Sequence, residues 1–137
     1  MKNIIIGTLL YIVISFSTQS ISHFAINADH YATISFMRAQ PIFIMGFLTM
    51  IMQGIVLSYL FLIYSKNEFT LKKGLLYGLI MAIFFVSYPA LVEPAKYHVP
   101  SISSWILVEA SVGLLQFSLF GLLLSITFQK LNNQSIV

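Results

Sequence analysis

Glu109 is the residue whose type and surroundings speak most directly of chemistry. It lies in the run WILVEASVGLLQFSLFGLLLSITF, one helical turn after Trp105, with no other ionisable group in that run. A carboxyl among hydrocarbon side chains is costly unless it is hydrogen-bonded, neutralised or paired, so it marks a buried polar contact or a functional site. Two chemistries are open to it. A neutral acid can serve as a fixed hydrogen-bonding partner, and a proton-exchanging acid can serve a substrate path. Tyr88 and Gln116 are candidate hydrogen-bonding partners, Thr18 and Gln19 offer polar groups at similar depth, and Arg38 or an outer-loop histidine is a candidate cation.

The spacing of the polar residues sharpens this. Gln53 lies twelve residues after Pro41, and Gln116 lies eleven after Trp105. If both runs cross a membrane in the same direction, the two amides share a depth near its middle. Gly46 and Glu109 are matched in the same way, five and four residues in. Within each run the two members are seven apart, which is two helical turns and one face. This reading sets Gly46 and Gln53 against Glu109 and Gln116 across a seam between the second and fourth spans. Small residues and interhelical polar contacts of this kind hold helices together in lipid. The seam is then either a packing device or the floor of a site.

A second, weaker cluster is the set His23, His30 and His98, expected on the outer side with Asp29, Arg38, Glu93 and Lys96. Imidazole and carboxylate are suitable ligands for zinc. No zinc motif is present, however, and the residues come from separate loops, so neither a metal nor any other cofactor is expected. The serines have no acid–base partner at a recognisable spacing, and no phosphate-cradling glycine loop or nucleotide fingerprint occurs.

These residues must be positioned by long apolar elements. Of 137 residues, 58% are hydrophobic and 8% charged, with a mean hydropathy of +0.91. Soluble domains carry roughly 25% charged residues, so lipid is the solvent this composition fits. Four segments have the length to span: 4–22, 41–64, 75–92 and 105–128. The first also has the make-up of a signal peptide, with Ser20-Ile-Ser22 a poor cleavage site, but as a retained helix it gives the other three a fourth partner. Lys2, Lys66, Lys72, Lys73 and Lys130 fall on one side and Arg38 and Lys96 on the other, so the positive-inside rule puts both termini and the SKNEFTLKKG loop in the cytoplasm. Trp105, Tyr88 and Tyr97 then read as aromatic anchors at the outer interface. NADHYATISFMRAQ reads as a short interfacial helix with Phe36 and Met37 dipping toward lipid.

The fold class implied is all-α: one integral membrane domain over residues 1–137, an antiparallel four-helix bundle in a plasma (bacterial inner) membrane. Gly74, Gly78 and Ala82 form a small-residue row on the third span suited to close helix approach. Gly7, Tyr11, Ser15, Thr18 and Ser22 form a weakly polar stripe on the first, and Ser111, Ser118 and Ser125 recur every seven residues on the fourth. Scattered basic residues without a dense patch exclude nucleic acid as a partner. The leading functional reading is a non-enzymatic component that binds a membrane lipid, another membrane protein or a second copy of itself, with a buried polar site around Glu109. The alternatives are a small proton-coupled transporter of a lipophilic solute and an intramembrane enzyme acting on a lipid at the outer leaflet.

Overall fold

The computed structural model describes residues 1–34, 38 and 40–134, and the described residues are helical apart from short turns. Six α-helices occur in order: α1 (Lys2–Ile21), α2 (Ala28–Ala32), α3 (Phe43–Ser65), α4 (Leu71–Ser87), α5 (Glu93–Lys96) and α6 (Ile102–Gln134). A wider π-type turn at Ser22–Ile26 prolongs α1, and another at Tyr88–Val92 prolongs α4. Four helices, Lys2–Ile26, Phe43–Ser65, Leu71–Lys96 and Ile102–Asn133, are long and apolar enough to cross a membrane. Their outward faces carry side chains such as Val13, Met52, Ile83, Phe84 and Leu107, each more than half exposed. Soluble monomers rarely expose contiguous apolar surface on that scale. Of the segment expected to form an interfacial helix, Ala28–Ala32 is helical as α2, and Phe36 and Met37 lie outside the described residues.

The helices meet where side chains are small. A Cβ on Gly121 would strike the carbonyl of Gly74, and one on Gly78 would strike that of Phe117, so α4 and α6 approach to backbone contact. Gly113 lies as close to Val86 farther along the same pair. On the other side of the molecule, Gly7 sits against Ser58 and Gly54 against Thr8, which brings α1 onto α3. The second small-residue contact involves Gly54, the residue after Gln53. Helix α1 also packs on α6, so it lies between α3 and α6. Towards the turn joining α3 and α4, Phe61, Phe69, Tyr77 and Phe128 close the core as one ring cluster, with centroids 5.1–6.0 Å apart. The Tyr77 hydroxyl donates to the carbonyl of Leu57 at 2.6 Å, joining α4 to α3.

That turn is built from local rules. Lys66 and Asn67 take left-handed backbone conformations, with φ of 51° and 61°, and stop α3. Thr70 caps α4, its hydroxyl accepting from the Lys73 amide at 3.2 Å, and its carbonyl accepts from Ser125 Oγ at 2.8 Å. The Lys73 ammonium donates to the last-turn carbonyl of Ser65 at 2.9 Å and pairs with Glu68 at 2.7 Å. The hydrogen bond and charge from Lys73 hold the Glu68 carboxyl below its ordinary range. A lowered carboxyl favours the folded chain at neutral pH, and this contribution fades as pH falls through the lowered value.

At the opposite end, Pro89 and Pro94 explain an unexpected position for Trp105. Pro94, five residues after Pro89, has no N–H to offer its carbonyl, and the amide of Glu93 is already taken by Tyr88. The Trp105 indole N–H fills the gap, donating to the Pro89 carbonyl at 2.8 Å. Trp105 is therefore 4% exposed and ties α6 to α4, where the sequence read it as an aromatic anchor at the outer interface.

The glycine contacts give a contrast between two alanine variants. Gly121→Ala places its methyl on backbone that cannot yield, and we expect a loss of about 1–3 kcal/mol in unfolding by helical circular dichroism in detergent. Gly46→Ala meets nothing within 4 Å, so it should be neutral or stabilising by up to about 1 kcal/mol. Equal effects at the two positions would contradict the packing described.

Candidate polar chamber beside Glu109

The polar stripe of α1 faces inward: Gly7, Tyr11, Ser15 and Ser22 are buried and Thr18 is half-buried. A spacing of three or four residues puts them on one helix face. From that face α1 reaches both long partners. The Tyr11 hydroxyl donates to Gln53 Oε1 at 2.7 Å on α3. Gln19 Nε2 donates to Gln116 Oε1 at 2.7 Å on α6, with Thr18 Oγ1 at 3.3 Å from the same oxygen. Gln116 Nε2 in turn donates to Ser15 Oγ at 3.1 Å. Gln116 is 4% exposed, and both ends of its amide are occupied. Leaving such a buried amide unpartnered would cost about 1–3 kcal/mol.

Glu109 is held by a residue that the spacing did not single out. The Tyr31 hydroxyl on α2 donates to Glu109 Oε1 at 2.9 Å. Tyr31 is 8% exposed and sandwiched: His23 stacks on its ring at 3.6 Å between centroids, and His30 meets its edge at 5.2 Å. His23 is itself fixed by a 3.0 Å contact between Nδ1 and the Gln19 carbonyl. Burial foremost, and then the adjacent Glu109 carboxyl, push the Tyr31 hydroxyl well above the ordinary phenol range. It therefore remains a donor at physiological pH.

Between these groups lies a chamber of about 200 Å³, lined on its polar side by Tyr11, Ser15, Gln19, Gln53, Glu109 and Gln116. The remaining wall includes Phe85, Val86, Pro89, Gly113 and Phe117. Three of the five residues singled out from sequence thus share one cavity: Glu109, Gln53 and Gln116. Gly46 and Tyr88 do not line it. Gly46 is exposed, with open space where a side chain would begin, and gives no room to the carboxyl. Tyr88 is 50% exposed, and its hydroxyl accepts from Lys96 Nζ at 3.3 Å. The two glutamines do not face each other across a direct α3–α6 seam. Equal depth put them at one level, but α1 stands between their helices and each amide bonds to it.

The three histidines separate. His23 and His30 flank Tyr31, and His98 is exposed. Among the described residues no three His, Asp or Glu side chains gather as a metal-ion cage. A second, larger cavity of about 670 Å³ opens beside α2 and shares Gln19, its walls including Phe16, Phe24, Phe43 and Met50 as well as His23, Tyr31 and Arg38. Tyr31 thus borders the large cavity and bonds to the acid of the small one. Tyr11 and Tyr31 are the residues that pairing by depth alone passes over as partners, whereas Gln19, expected at the depth of Glu109, bonds to Gln116. The inward stripe on α1 was the available signal for Tyr11. For Tyr31 no spacing signal existed.

No family model matches the chain, and no curated protein or solved structure shows significant similarity to it.

The Tyr31 contact has a chemical test. Tyr31→Phe removes the hydroxyl that covers Glu109 and leaves the ring stack in place. We expect dicyclohexylcarbodiimide to modify Glu109 several-fold faster in this variant, read by intact-protein mass spectrometry, with a stability loss of about 1 kcal/mol. An unchanged rate would show that Tyr31 does not shield the carboxyl.

Proposed function

We propose that this chain is a multi-pass integral membrane protein that binds a membrane lipid with an anionic headgroup in the cavity beside α2. In this reading the four apolar helices form an antiparallel bundle in a plasma (bacterial inner) membrane, with both termini and the SKNEFTLKKG segment in the cytoplasm. The excess of lysine at that end supports the orientation. The binding reading rests on one observation: an apolar cavity whose polar residues include a guanidinium. Its volume of about 670 Å³ falls in the ~300–1,000 Å³ range of sites that take small organic molecules. Phe16, Phe24, Phe43 and Met50 supply walls for acyl chain, and Arg38, with His23 nearby, supplies the charge and donors that a phosphate headgroup needs.

A small-residue interface and a polar lock on α1 hold such a cavity open at modest size, and neither requires turnover. The protein would act by holding a lipid, or by presenting it to another membrane component. A self-associated form is compatible with this, since the outward helix faces are largely apolar.

The reading predicts a headgroup preference. Purified protein, stripped of lipid and offered phosphatidylglycerol or phosphatidylcholine, should retain the anionic lipid preferentially in native mass spectrometry. Arg38→Gln should reduce that retention about tenfold, the scale of one charge-assisted hydrogen bond. Equal retention of the two lipids, or an Arg38→Gln variant identical to wild type, would contradict the proposal.

A further inference from the structure

The smaller chamber differs from the lipid cavity in its chemistry, and its ligand does not depend on whether a lipid fills the larger one. Its polar wall carries one formal charge, the Glu109 carboxylate, reached from α6. Among the described residues the ion pair found is Lys73–Glu68, where α3 turns into α4; His23 feels the charge of Glu109 but does not form an ion pair with it. A carboxylate set among apolar helices needs a compensating charge or a proton. Three aromatic side chains line the same chamber: Tyr11, Phe85 and Phe117. Phe85 stacks on Phe117 at 5.2 Å and 16°, and Tyr11 lies 6.2 Å from Phe117, so the rings form one continuous wall.

A carboxylate sharing a chamber with a wall of rings is the arrangement that recognises an alkylated ammonium. Its diffuse charge gains from ring faces, and its methyl groups do not ask for hydrogen bonds. A bare metal ion asks for something else, six or more converging oxygens for calcium, or a strict octahedron for magnesium. The amide oxygens here are already committed, Gln53 Oε1 to Tyr11 and Gln116 Oε1 to Gln19 and Thr18. The space of about 200 Å³ is also far more than the ~10–15 Å³ that one water requires. We propose that this chamber is a binding site for a small organic ammonium ion, with Glu109 as its counter-charge and Tyr11, Phe85 and Phe117 as its aromatic wall. Gln116 and Gln53, locked by α1, hold the floor rigid and leave the acid as the directing group. Tyr31 keeps one carboxylate oxygen in place and leaves the other for the ligand.

The test uses the full chain in detergent, with choline chloride as probe and 3,3-dimethyl-1-butanol as its uncharged isostere. Calorimetric titration should show saturable choline binding at millimolar concentration and none for the isostere. Glu109→Gln should weaken choline at least tenfold, as loss of a desolvated charge contact implies. Phe85→Leu, which keeps an apolar side chain of similar bulk, should weaken it several-fold through loss of the ring. That second variant decides the matter if Glu109→Gln does not fold. The proposal fails if wild type does not bind choline, if the isostere binds equally, or if both variants bind as wild type. It also fails if sodium chloride displaces choline at matched concentration, since the site would then be one for any monovalent cation.

Discussion

The structure depends on a row of hydrogen bonds that helix α1 makes to its two long neighbours. Gln53 and Gln116 lie mid-helix among apolar neighbours, Gln53 half-buried and Gln116 buried, and each takes a hydrogen-bond partner from another element. Helix α1 provides both, Tyr11 to one side and Ser15, Thr18 and Gln19 to the other. Because a hydrogen bond is directional, the row fixes rotation and height of three helices at once. Apolar packing alone could not do so, as one apolar face serves nearly as well as another. The chamber beside Glu109 is a consequence: it is the space left where polar side chains of fixed length hold the helices apart.

Glycine does the opposite work. At Gly74, Gly78 and Gly121 the absence of a side chain lets α4 and α6 meet backbone to backbone, while between α1 and α3 Gly54 meets the backbone of Thr8 and Gly7 makes room for the Ser58 side chain. The fold is therefore two tight helix pairs joined through the α1–α6 contact, with the aromatic cluster around Phe61 closing the lysine-rich end. At the far end the two prolines of Tyr88–Lys96 disrupt regular helical pairing, and Trp105 repairs one lost bond. The candidate sites lie on the side of α1 and α6 towards this less regular end, where helix geometry leaves room.

How much of this was legible in the sequence varies with the kind of information. The existence and approximate limits of four long apolar helices follow from composition and length alone. Depth was legible too, because residues are counted along a rigid rise of ~1.5 Å each. That is why Glu109, Gln53 and Gln116 were grouped. Azimuth and neighbour were not legible. Counting residues cannot say which helix stands next to which, so Gly46 was set beside Glu109 although open space adjoins it. The Gly74–Gly78–Ala82 row announced a close contact but not its partner. Trp105 carried the aromatic-anchor signature, yet a backbone carbonyl orphaned by proline drew its indole inward. Tyr31 had no periodic signal, since its role arises from a five-residue helix that sets its ring on His23 and its hydroxyl on Glu109.

Mediation of the polar contact between α3 and α6 by α1 is open to a double-mutant cycle in unfolding experiments. One cycle pairs Gln19→Ala with Gln116→Ala and, in parallel, another pairs Gln53→Ala with Gln116→Ala. We expect a coupling of about 0.6–1.7 kcal/mol for the first pair and one within about 0.5 kcal/mol of zero for the second. Coupling confined to the two helix-centre glutamines, with Gln19 additive, would mean that α3 and α6 meet without α1.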